Sequence, residues 1–179
     1  VITNRLQTDR LSLLPMNEGD LEVFHKTNIN PFVREFLWDD QQIPKSLSEE
    51  ILIEVKKRFN NEKWGLWKIV DSNSGHYMGY IGFWFFFDEQ IPQLLYALLP
   101  EYTGNGYATE AGAKIIKYAF EYLNFDYLIA TMDKPNKGSV NVCKRLNMSF
   151  VEEKEIENKP ILFYRLNNRI INPNIKDKS

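Results

Sequence analysis

The chain has 179 residues, a formal net charge of −2 and 44% hydrophobic residues. That composition suits one globular domain burying a little under three quarters of its unfolded surface, and it excludes a disordered chain. The absence of a basic block argues against nucleic-acid binding by charge, and the longest apolar run, 81–87, is too short to span a membrane. One cysteine excludes an intramolecular disulfide and suits a reducing compartment. No signal-peptide pattern opens the sequence, so a soluble cytoplasmic protein is the expectation.

Residues 10–16 read as a first strand, rich in Leu. Polar residues at 17–20 precede Leu21, Val23 and Phe24, so a helix starts there. Pro31 ends that helix or begins the next, and 31–38 reads as a short helical segment. A loop around Pro44 follows. Ser46 or Ser48 is the expected cap of a helix to about residue 60, with Glu49 and Glu50 in its first turn. Leu52, Val55 and Phe59 have helical spacing along it.

Residues 64–70 and 76–87 read as strands joined by the turn 71–75, hence a hairpin. A third strand, 93–99, returns after a turn at 88–92. The helix 107–123 buries Ala108, Ala111, Ile115, Ala119 and Leu123, with Lys114, Lys117 and Glu121 opposite. Residues 127–132 form a strand, and the strand–helix–strand order predicts its parallel pairing with 93–99. A helix over 136–146 and a hairpin of 149–156 with 161–166 complete the domain. The polar tail 167–179 reads as loose. The fold class is α+β, a mixed, mostly antiparallel central sheet flanked by helices, in a single domain over 1–166.

The stretch 100–113 reads Pro-Glu-Tyr-Thr-Gly-Asn-Gly-Tyr-Ala-Thr-Glu-Ala-Gly-Ala and links a strand to a helix. A helix start exposes unpaired N–H groups at the positive end of its dipole, an anion site ready for a phosphate. Gly104 and Gly106 allow a sharp turn and close approach of a ligand. There is no P-loop lysine, and Thr109 stands where a dinucleotide fingerprint has its third Gly. The plain alternative is a glycine turn that caps a helix.

With its flanks, the run Gly104-Asn105-Gly106-Tyr107-Ala108-Thr109-Glu110-Ala111 resembles the GNAT superfamily of N-acetyltransferases, in its ribosomal-protein-type (RimJ/RimL-like) branch. Glu101 departs from the Gln or Arg frequent at that position. A second stretch, 136–148, is similar to the family's last helix. Asn136 and Ser139 match its Asn-x-x-Ser, and Lys144, Arg145 and Leu146 match in character. Asn147 replaces Gly, Met148 replaces Phe, and Cys143 stands where many relatives have Tyr. The resemblance spans 64–166, and the segment before it is family-like in layout only.

The resemblance implies a GNAT fold, acetyl-CoA as cosubstrate, no metal, and direct transfer of acetyl to a primary amine in a ternary complex. The acceptor would be a protein N-terminus or a small amine. The backbone of Gly104, Asn105, Gly106, Tyr107, Ala108 and Thr109 would hold the CoA pyrophosphate. Asn136 and Ser139 would meet the pantetheine arm, although both also read as helix caps. Tyr96, Ala97 and Leu98 would form a bulged strand, splayed from the next, whose N–H groups meet the oxyanion. Cys143 holds the position of the proton donor to the departing thiolate, and its other reading is a small buried apolar residue. Lys134, Lys137, Lys144 and Arg145 would face an outer phosphate or form a solvated basic face.

The general base stays open. Gln93 stands where many related chains carry Glu and cannot take a proton. Asp88, Glu89, Glu35, Asp39 and a water relay are the candidates. Trp38, Phe83, Trp84 and Phe85 would line an acceptor pocket or fill the core. A homodimer is common among relatives. Gln93 and Cys143 also motivate a different reading, a CoA-binding module with little or no transferase activity. A third, a nucleotide- or DNA-binding protein, lacks both a P-loop and a basic surface.

Overall fold

The computed structural model describes residues 4–87 and 90–169. In chain order the elements are β1 (Leu6–Gln7), β2 (Leu11–Pro15), α1 (Leu21–Ile29), α2 (Pro31–Leu37), α3 (Lys45–Glu62), β3 (Leu66–Asp71), β4 (Tyr77–Trp84), β5 (Gln93–Leu98), α4 (Tyr107–Glu121), β6 (Tyr127–Asp133), α5 (Lys137–Arg145), β7 (Ser149–Ile156) and β8 (Lys159–Asn167). The expected α+β class is what forms: antiparallel sheets flanked by helices. One sheet runs β1-β2-β3-β4-β5 and a second runs β6-β8-β7.

The expected parallel ladder between β5 and β6 does not form, because the two strands end different sheets. A side-chain bond joins them instead. Thr131 Oγ1 donates to Gln93 Oε1 at 2.6 Å, and Gln93 Nε2 donates to the Phe86 carbonyl at 3.3 Å. Gln93 is 0% exposed. An amide offers both a donor and an acceptor, so it satisfies both neighbours without a charge. It pins the sheets at one end of β5.

Helix starts follow local chemistry. Asn17 caps a short 3-10 turn, Glu18–Asp20, in a reciprocal capping box that leads into α1. Asn30 caps α2, with Pro31 in its first turn. α3 starts one residue before the expected Ser46. Pro44 stands at its cap with no side-chain bond, and neither Ser46 nor Ser48 caps it. Ser48 instead faces inward, fully buried, with its hydroxyl 3.0 Å from His25 Nδ1.

The core centres on Trp67 of β3, which meets Phe59 of α3 edge-on at 4.7 Å and Tyr118 of α4 at 5.6 Å. A polar brace lies on the other face of the sheet, where Tyr80 stands opposite Lys68. The buried Asn28 accepts from Trp38 Nε1 and from the Tyr80 hydroxyl, both at 2.7 Å, and donates to the Phe24 carbonyl at 2.8 Å. Packed structure runs past the boundary expected at 166. Asn167 ends β8, and Asn168 is 0% exposed with its amide on the Phe120 and Phe125 carbonyls. Residues 170–179 of the expected loose tail lie outside the described residues.

Candidate active site

Along β5 lies a cavity of about 720 Å³, walled by β5 itself, the end of β6, the start of α4 and one face of α5. The β5 register against β4 is continuous from Leu98 opposite Gly79 to Gln93 opposite Trp84, so the bulge expected at Tyr96–Leu98 is absent. The irregularity sits one strand away, between β3 and β4 at Ile69/Val70. The splay therefore needs no bulge in β5, only the lack of a paired neighbour. Leu99 donates its N–H to the Met78 carbonyl at 3.0 Å. Antiparallel alternation then points the peptide groups of Ala97 and Leu95 at β4, and those of Leu98, Tyr96 and Leu94 at the opposite edge. Tyr96 and Leu98 thus present N–H groups on the side where β5 and β6 part, while Ala97 does not.

The glycine turn closes the other end of β5. Gly104 and Gly106 have φ of 77° and 81°, a region strained for any side chain. Gly106 is the N-cap residue of α4, and no side chain caps that helix. Its first N–H groups are left facing the cavity, whose wall includes Gly104, Gly106, Tyr107, Ala108 and Thr109. Thr109 Oγ1 is buried with no hydrogen-bond partner. An orphaned buried oxygen beside uncapped amides suits a polar ligand that brings its own partners. Asn105 lies in the turn but outside the cavity wall, with its Nδ2 on the Thr103 carbonyl at 3.0 Å.

Arg10, absent from the expected site, braces this turn from β2's end of the sheet. Its Nη1 donates to the Asn105 carbonyl at 3.2 Å, its guanidinium lies 4.4 Å from the Tyr107 ring centroid, and its Nε meets Glu110 Oε2 at 2.6 Å. Thr8 Oγ1 and the Arg10 N–H donate to the other Glu110 oxygen. Burial pulls the Glu110 carboxyl upward, but the bonds from Thr8 and Arg10 outweigh it and leave the pKa below its ordinary value.

On α5, Asn136 Oδ1 accepts the Ser139 N–H at 3.1 Å, which is the capping role. Its Nδ2 takes no part in that cap, and the residue lines the cavity. Ser139 Oγ sits 3.1 Å from the Tyr96 hydroxyl, so α5 and β5 touch across the gap.

A profile described as an acetyltransferase (GNAT) domain matches residues 10–149. The chain belongs to the GNAT acetyltransferase family. The match reaches back to residue 10, well before the segment from 64 where the resemblance is legible by eye. Among curated relatives, the Bacillus subtilis protein YkkB is 29% identical over 101 residues, 55% of this chain and 59% of that protein. The spermidine N(1)-acetyltransferase of Escherichia coli K12 is 24% identical over 148 residues, 78% of this chain and 73% of that one. A spermidine N-acetyltransferase from Vibrio cholerae, solved with CoA and spermine, superposes with a TM-score of 0.73 at 16% identity, covering 90% of this chain and 97% of that one. A ribosomal-protein-S5-alanine acetyltransferase from Vibrio fischeri gives 0.76 at 14% identity, covering 92% and 96%. At these identities the two structures establish a shared fold.

Within this GNAT site Cys143 is 4% exposed, and burial pushes its thiol up to about 12. That matches the small buried residue among its two readings. Burial likewise holds the Tyr96 hydroxyl at about 12. The acceptor-side aromatics fall differently than expected. Phe83 is fully buried in the core, Trp38 is committed to Asn28, and Trp84 and Phe85 lie beside the Arg58 guanidinium. The cavity is lined instead by Phe32, Phe36, Phe86 and Phe87.

Among the base candidates, Glu35 is exposed and outside the cavity wall, and Asp88 and Glu89 lie outside the described residues. Asp39 is in the wall and pairs with Lys159. Asp133, at the end of β6, is also in the wall, and it is absent from the expected set. Burial raises its carboxyl above the ordinary range, Lys159 at 3.9 Å lowers it and Asp39 raises it further. The three residues come from the end of β6, the loop after α2 and the start of β8, so sequence spacing offers no hint of the cluster. No helix among the described residues is long and apolar enough to cross a membrane.

Proposed function

We propose that this GNAT protein moves the acetyl group of acetyl-CoA to a primary amine by direct attack in a ternary complex. The acceptor is a small amine or a protein N-terminus, and the chain sits in the RimJ/RimL-like branch. One observation carries the reading: uncapped amides at the glycine turn open onto the same cavity that runs along the unpaired edge of β5. The turn, with Thr109, suits the pyrophosphate. The Asn136 amide suits the peptide-like arm, and the β5 edge leads from one to the other.

The N–H groups of Tyr96 and Leu98 suit the oxygen on which negative charge develops, since fixed backbone dipoles need no reorganisation there. Asp133, with its carboxyl raised by burial, is suited to receive the amine's proton directly or through water. The relatives named for spermidine and for a ribosomal protein's alanine support the two acceptor classes, and the second supports the branch. A panel of spermidine, spermine, free amino acids and an alanine-terminated peptide, with release of free CoA thiol as the readout, tests the reading. Turnover with one class supports it. Thiol release with no amine above background, in a protein that binds acetyl-CoA, favours the binding module that Gln93 and Cys143 suggest.

A further inference from the structure

Tyr96 carries more than a backbone amide into the cavity. Its side chain crosses from β5 to the first turn of α5, and its hydroxyl oxygen rests 3.1 Å from Ser139 Oγ. Both residues line the cavity. A pair of hydroxyls has two protons, and one bond between them uses only one. The second proton has no protein acceptor among the described residues. Cys143 stands one helical turn beyond Ser139, on the face of α5 that meets β5, and its thiol is close enough to raise the Tyr96 hydroxyl electrostatically. Burial alone raises the thiol, with no neighbouring charge or hydrogen bond among the described residues that favours giving up its proton. Burial raises thiol and phenol alike, so geometry separates them: the phenol from the facing strand has a hydroxyl partner in Ser139 that can pass it a proton, and the thiol has none among the described residues.

We propose that the Tyr96 hydroxyl, oriented by Ser139, is the proton donor to the sulfur of departing CoA, a role displaced from helix to strand. The assignment rests on the acetyl-CoA reading above. As the carbon–sulfur bond breaks, its electron pair leaves with sulfur, which takes the Tyr96 proton. The phenolate takes the Ser139 proton, and Ser139 recovers one from solvent. The proton lost by the attacking amine goes to Asp133 or water, so the overall exchange is amine plus thioester to amide plus thiol. Tyr96 would contribute its amide to the developing oxyanion and its hydroxyl to the leaving group, from one residue.

The test is a calorimetric comparison of CoA with desulfo-CoA on the wild type, Tyr96→Phe, Ser139→Ala and Cys143→Ala. The wild type is expected to prefer CoA by about threefold to tenfold, the range of one hydrogen bond. Tyr96→Phe brings the ratio to about one while desulfo-CoA binds as before. Ser139→Ala reduces the ratio, which keeps the test open should the Phe variant fold poorly. Cys143→Ala leaves it unchanged. With an amine that turns over, Tyr96→Phe lowers kcat about a hundredfold, the scale of one general acid, with the acetyl-CoA KM held. A ratio and kcat preserved in Tyr96→Phe, or lost in Cys143→Ala, overturns the assignment. If neither ligand binds the wild type, the acetyl-CoA reading itself fails, and the assignment with it.

Discussion

Gln93→Glu places a carboxyl at a fully buried position in the cavity wall. Gln93 is 0% exposed, accepts from Thr131 at 2.6 Å and donates to the Phe86 carbonyl at 3.3 Å. A protonated Glu reproduces both bonds. An ionised one keeps the Thr131 bond but sets a negative oxygen against the Phe86 carbonyl at a buried position. The folded variant therefore holds its proton well above the unfolded value, near 4.3. A raised carboxyl pKa makes stability fall as pH rises through the window from the unfolded to the folded pKa, by about 1.4 kcal/mol per pH unit. At pH 7 the loss approaches about 3.7 kcal/mol if the folded pKa exceeds 7, a large share of a typical domain's roughly 5–15 kcal/mol. Urea unfolding of both proteins at pH 5, 6 and 7 reads the difference. It should grow with pH and be small at pH 5. A pH-independent difference would refute the reasoning, and so would a variant that turns over amines faster, since Gln93 would then sit at a base position rather than a pin.

Other consequences follow from the same contacts. Asn28→Leu strands the Trp38 indole and Tyr80 hydroxyl, and chemical unfolding should record a loss of about 3 kcal/mol. Asn136→Ala removes the α5 cap and should cost about 1 kcal/mol, with acetyl-CoA affinity reduced in the same titrations. Glu110 holds a lowered pKa, so its contribution is present above the unfolded carboxylate value and fades as pH falls through the folded one. Glu110→Gln should flatten the acid side of the stability profile, in the window just below the unfolded carboxylate value. Iodoacetamide should label native Cys143 at pH 8 at least about a thousandfold more slowly than the urea-unfolded chain, since a thiol near 12 is about 0.01% ionised there.

The parts of this site that sequence reveals are the parts made within a few residues. Gly104 and Gly106 are needed by a turn whose φ angles are local, and Asn136 caps the helix three residues ahead. The parts that stayed hidden are made across the chain. Arg10 and Glu110 are 100 residues apart, and neither residue type signals the other. Gln93 reads as a failed base only while Thr131 and Phe86 are unknown as its neighbours. Strand–helix–strand order suggested a ladder between β5 and β6, yet order does not report whether two strands hydrogen-bond or part. The aromatic pocket falls elsewhere because Phe83 is buried in the core and β4 ends at Trp84, so Phe85 turns out against Trp64 and Arg58 while Phe86 and Phe87 reach the cavity. Pro44 displaced the α3 cap because its fixed backbone starts the helix before either serine.

The central claim is that the glycine turn holds the pyrophosphate of CoA. Calorimetric titration of acetyl-CoA into the wild type and into Gly106→Trp tests it most directly, with circular dichroism and thermal unfolding to verify that both are folded. The account predicts binding by the wild type and none by the variant, because a side chain there strains a residue at φ 81° and presses toward the Arg10 guanidinium that braces the turn, which distorts the uncapped amides. Equal affinity in the two proteins, or no binding by a folded wild type, would contradict it.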